Sequence, residues 1–171
     1  MVVLAVAFIF VAAGNMWAGE VEVLGVKFPT EKVIEGKTLK LNGVSYLKRF
    51  GTIKVYAVGL YMETPSNDFK TVIESEQVKH LFTHFLTSKA TAEKLRKGFI
   101  KTTKKNNPKD LVDMKPGQTS ETVYVPGKGL TLTYQGMVRG TIPGSTFAQM
   151  YYRNNVGKNT NKKIREGLLG L

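Results

Sequence analysis

The stretch from Leu41 to Met62, LNGVSYLKRFGTIKVYAVGLYM, constrains the fold more than any other part of the sequence. Ile53 to Met62 is dense in β-branched and aromatic residues, which suit a pleated surface, and Phe50-Gly51-Thr52 offers a turn ahead of it. Two antiparallel strands are therefore expected to meet at that turn. Strand side chains alternate, so Lys54, Tyr56, Val58, Leu60 and Met62 should share one face, and Ile53, Val55, Ala57, Gly59 and Tyr61 the other. Both sets are apolar enough that both faces should be covered.

The remaining chain supplies elements to cover them. Val21, Val23 and Val26 alternate with acidic or small residues, and Lys37 to Leu41 does the same, as half-buried strands do. Pro65-Ser66-Asn67-Asp68 offers a turn and an N-cap before Phe69, Val72 and Ile73, which share one face of a short helix. Gln77 to Leu86 resumes as a strand. Thr91 to Lys105 reads as an amphipathic helix, with Leu95, Phe99 and Ile100 inside and Lys97, Lys101, Lys104 and Lys105 outside. Thr119 to Val125 and Leu130 to Tyr134 flank a Pro126-Gly127-Lys128-Gly129 turn, and Met137 to Ile142 follows the next one at Gly136. Helical spacing returns at Phe147, Met150 and Tyr151 and from Thr160 to Leu169. Strands grouped toward both ends, with helices between and after them, predict an α+β domain in which helices cover one face of an antiparallel sheet.

The first nineteen of the 171 residues carry no charge. Met1 to Ala13 has the length of a signal-peptide core rather than of a membrane span, and Asn15-Met16-Trp17-Ala18 follows it as a cleavage region. Residues 1–18 are thus expected to be a signal peptide and 19–171 one exported domain, periplasmic or secreted. An uncleaved anchor and a buried first element are the alternatives.

Several chemistries find no support. The chain has no cysteine, so thiol nucleophiles, thiolate metal sites and disulfides are excluded. Its only histidines, His80 and His84, lie about 13 Å apart along a predicted strand, too far to share a metal, and read as structural or surface residues. GxSxG, Walker and GxGxxG patterns are missing. No metal and no cofactor are expected. A net charge of +12 attracts anions of any kind. The lysines of helix 91–105 read first as its solvated face. An anionic membrane is the next reading, and nucleic acid is not expected, because no exposed aromatics interleave with the lysines. The oligomeric state stays open.

Leu41 to Gly43 (LNG) with Lys54 to Met62 (KVYAVGLYM) resembles the chalcone isomerase-like family, in particular its exported bacterial branch. Phe85 to Leu95 (FLTSKATAEKL), Val125 to Gly136 (VPGKGLTLTYQG) and Ile164 to Gly170 (IREGLLG) extend that resemblance over most of the chain. It implies an open-faced β-sandwich, a large antiparallel sheet under a layer of helices. It also implies one of two functions, since some members cyclise chalcones to flavanones as intramolecular lyases and others bind fatty acids without catalysis. The fold alone does not choose between them.

The resemblance also implies site residues. An arginine on the first hairpin strand grips a carboxylate or stabilises an oxyanion. Counting from LNG puts Leu47 in its place, counting back from KVY puts Lys48 there, and Arg49 is the nearby guanidinium. Tyr56 matches the tyrosine that accompanies the arginine in fatty-acid-binding members. Thr91 and Gly98 stand where plant catalysts carry a tyrosine and an asparagine, so groups that orient a chalcone are lost. Ser145, Thr146 and Tyr151 begin the last cleft-lining helix. The leading expectation is a non-catalytic protein that holds a fatty acid or similar amphiphilic carboxylate in an apolar cleft, with Arg49, Lys48, Tyr56, Thr91 and Ser145 as its contacts. The second is an isomerase using Arg49 as electrophilic stabiliser and Tyr56 as a proton or water contact. The third is a membrane-surface protein working through the basic helix.

Overall fold

The computed structural model describes residues 19–88, Glu93 and 113–171. The expected signal segment, Thr91, Gly98 and the basic helix 91–105 lie outside the described residues. Nine strands and three helices are described: β1 (Glu20–Val23), β2 (Val26–Pro29), β3 (Glu31–Ile34), β4 (Lys37–Arg49), β5 (Ile53–Met62), α1 (Phe69–Glu74), β6 (Lys79–Phe85), β7 (Thr119–Val125), β8 (Gly129–Tyr134), β9 (Met137–Ile142), α2 (Ser145–Val156) and α3 (Lys162–Leu168). β3 to β9 form a seven-stranded meander in sequence order, antiparallel throughout, and β1–β2 is a separate two-stranded ribbon. This is the α+β architecture expected from the sequence.

The hairpin β4–β5 turns at Phe50 and Gly51, both in the left-handed region with φ of 51° and 70°. Two irregularities decide which side chains face which layer. In β4, Leu41 pairs with Tyr61 and Gly43 with Leu60, leaving Asn42 as an extra residue. In β5, Tyr56 pairs with Leu47 but Lys54 with Lys48, leaving Val55 extra. One extra residue reverses the parity of a strand. Leu39 and Leu41 therefore pack on one face of the sheet with Tyr61, whereas Leu47, past the bulge, packs on the other with Val58 and Leu60. The Val55 bulge likewise takes Lys54 out of the alternation that begins at Tyr56, which corrects the expectation that the two share a face.

The helix-covered face carries the main core, in which Val58, Leu60, Met62, Leu81, Tyr124 and Leu130 meet Val72 and Ile73 of α1, Phe147 and Tyr152 of α2, and Ile164 and Leu168 of α3. Asp68 caps α1 as expected, its carboxylate accepting from the Thr71 amide at 2.9 Å, and Asn161 caps α3. α3 lies so close over β4 that a Cβ on Gly43 would stand 2.2 Å from the Gly167 carbonyl oxygen. Asn42 secures the same contact by donating to the Leu168 carbonyl at 2.7 Å while accepting from the Ser66 amide at 2.6 Å. Lys79 is buried in this core, and its ammonium donates to the carbonyls of Val72, Ile73 and Ser75 at 2.9, 3.3 and 2.9 Å. It thereby closes the C-terminal end of α1, where orphan carbonyls need donors. On the opposite face the β1–β2 ribbon lays Phe28 over Gly59 and edge-on to Phe82.

Candidate functional site

Three tyrosines from distant parts of the chain converge at the end of the helix-covered face nearest the β4–β5 turn. Tyr56 of β5 packs edge-to-face on Phe85 of β6, ring centroids 6.3 Å apart. Tyr134, at the end of β8, joins Phe85, Met114 and Leu132 in a small apolar cluster that Tyr56 also touches. Tyr151 of α2 reaches both hydroxyls electrostatically. The register explains the meeting, because Tyr56 pairs with Phe85, while Ser120, which pairs with Thr83 one step before the β6–β7 ladder ends, pairs with Tyr134.

Burial holds these phenols protonated. It pushes Tyr56 up to about 12, with Tyr151 adding to the effect. Burial raises Tyr134 and Tyr151 as well. The buried Thr122 hydroxyl lies near enough to Tyr151 to oppose part of its shift, yet it makes no hydrogen bond of acceptable geometry. The wall is thus apolar with neutral hydroxyls set into it. Such a surface can solvate a polar head by hydrogen bonding and cannot supply a phenolate at neutral pH.

The other candidate residues are placed as follows. Leu47 stands opposite Tyr56 and packs into the main core. Arg49 falls on the same face by alternation, one pleat further toward the turn, exposed and paired with Ile53. Lys48 faces away, its ammonium 5.4 Å from the centroid of the Tyr46 ring, so the structure does not bring it to Tyr56. Ser145 is close to the Tyr124 hydroxyl, which donates to Glu76. Tyr124 is four residues along β7 from Ser120, about 13 Å away from the tyrosine cluster. Ser145 and Tyr56 therefore do not form one site. Tyr134 and Met114 went unrecognised in the sequence, where each looks like ordinary core. Arg139, the extra residue of a bulge in β9, went unrecognised too; its Nε is buried without a hydrogen-bond partner.

The histidines lie on the opposite face. His80 is fully buried, stacks on Tyr61 with centroids 5.7 Å apart, and donates from Nε2 to Glu121 at 2.9 Å. Burial lowers its pKa, so it stays neutral there.

A family model described as chalcone isomerase-like matches residues 20–170. The chain belongs to the chalcone isomerase-like family. The crystal structure of a fatty-acid binding protein from Arabidopsis thaliana shares this fold, with a TM-score of 0.69 at 17% identity over 88% of this chain and 96% of that one. The sequence matches no curated protein. In this family member, then, the two bulges of β4–β5 set a leucine across from Tyr56, with the exposed Arg49 one pleat nearer the turn on the same face.

Proposed function

We propose that this chalcone isomerase-like protein is a non-catalytic carrier that holds a fatty acid or similar amphiphilic carboxylate against the tyrosine-lined wall. The alkyl chain lies along the half-buried Leu47 and Leu132, backed by the buried Phe85 and Met114, where apolar burial drives binding. The head group turns toward the Tyr56 hydroxyl and, at the rim, toward Arg49. The observation that carries this reading is the pairing of Leu47 with a protonated Tyr56. A carrier needs only apolar area and a few hydrogen-bond donors. Cyclising a chalcone requires a cation or strong donor aimed at the enone oxygen and a base for the phenol, and here a leucine side chain occupies the position across from Tyr56. The similar fold of a fatty-acid binding protein supports the same choice. Export to the periplasm or medium belongs to this proposal, since an amphiphile crossing an aqueous compartment needs a carrier.

Protein purified from its native host should release single-chain carboxylates on extraction, identified by mass spectrometry. It should leave the absorbance band of an added hydroxychalcone unchanged. Loss of that band at a rate proportional to protein would overturn the non-catalytic reading. Tyr56→Phe should weaken binding about two- to tenfold, the range set by one net hydrogen bond.

A further inference from the structure

The β4–β5 turn projects beyond the tyrosine cluster and carries an unusual combination of side chains. Phe50 is 88% exposed, with its backbone held in the left-handed region at φ 51°. Lys48, Arg49 and Lys54 surround it, all exposed. None of the three makes an ion pair among the described residues, and from Lys37 to Met62 the sequence has no acidic residue. The three cations beside Phe50, without an ion pair among the described residues, disfavour a second basic copy of this chain and favour an anionic surface as the tip's partner.

We propose that this tip docks on anionic lipid bilayers, with Phe50 entering the headgroup–acyl boundary while Lys48, Arg49 and Lys54 meet the anionic headgroups. Apolar insertion and electrostatic attraction act together at such an interface, and each cation near the surface strengthens binding about fivefold. The backbone geometry suits the role. A short strand–turn–strand presents the ring at a fixed angle, and the turn spans too few residues to hide it. Tyr56 and Leu47 lie on the strands directly behind the tip, so a docked molecule would open its apolar wall next to the membrane. Docking itself does not depend on what the wall binds.

Co-sedimentation of the whole protein with vesicles tests the tip in the absence of any fatty acid. Binding is expected to phosphatidylcholine vesicles containing phosphatidylglycerol, to be much weaker with phosphatidylcholine alone, and to fall in high salt. Lys48→Gln with Arg49→Gln should weaken it about 25-fold, at about fivefold per cation. Lys70→Gln with Lys128→Gln removes the same charge at the far end of the sheet and should change binding less than twofold. Phe50→Ser should also weaken binding without loss of fold. Phe50→Trp should add emission that brominated-chain phosphatidylcholine in the anionic vesicles quenches. Equal losses from the tip and far-end pairs, an unquenched indole at position 50, or no binding to anionic vesicles would each overturn the proposal.

Discussion

Tyr56 and Lys79 show how burial sets the behaviour of single groups in opposite senses. Tyr56 ionises near pH 10 in an unfolded chain and is pushed up to about 12 in the fold. Its stabilising contribution is therefore complete below pH 10 and is lost as pH rises from 10 to 12. Over that window Tyr56 should remove about 2–3 kcal/mol, and denaturant titrations at pH 9.5 and 11.5 should show a smaller fall for Tyr56→Phe. Lys79 runs the other way, since burial pushes it down from 10.5 to about 8. Its ammonium opposes folding below pH 8, and that penalty is relieved as pH rises toward 10.5. Lys79→Met should abolish this rise in stability. It should also destabilise the protein at pH 7 by about 1–3 kcal/mol, because the carbonyls of Val72 and Ser75 lose their buried donor.

At the scale of elements, the β4–β5 hairpin and its partners were legible in the sequence because alternation and turn chemistry are local signals. The two bulges were not. An extra residue such as Val55 is as strand-compatible as its neighbours, so nothing in its chemistry says that it lacks a partner; only the ladder with β4 reveals it. Asn42-Gly43 carried a clearer hint, as a polar–glycine step inside a strand often marks a bulge or a close backbone approach. Gly43 serves the latter purpose. Gly43→Ala would drive a Cβ against the α3 backbone, which cannot rotate away as a side chain can. It should destabilise by about 2–4 kcal/mol, more than Gly59→Ala at about 1–3, where the obstacle is the Phe28 ring. Equilibrium unfolding of the two variants side by side checks that order.

For the whole molecule, the antiparallel sheet, its helix layer and the family were readable from pattern and resemblance, whereas the site was legible only in part. Tyr56 was picked out, but its neighbours come from β6, β8 and α2, and no spacing along the chain announces that Phe85, Tyr134 and Tyr151 will meet. Arg49 was named for its chemistry, and the strand parity that places it at the rim depends on a bulge at Asn42 seven residues away. The central claim is that this assembly holds an amphiphilic carboxylate, and calorimetric titration of the delipidated protein with a long-chain fatty acid tests it most directly. Saturable one-to-one binding with a negative heat-capacity change, weakened by Tyr56→Phe, is predicted. A titration that shows no saturable uptake by the folded, delipidated protein would contradict it.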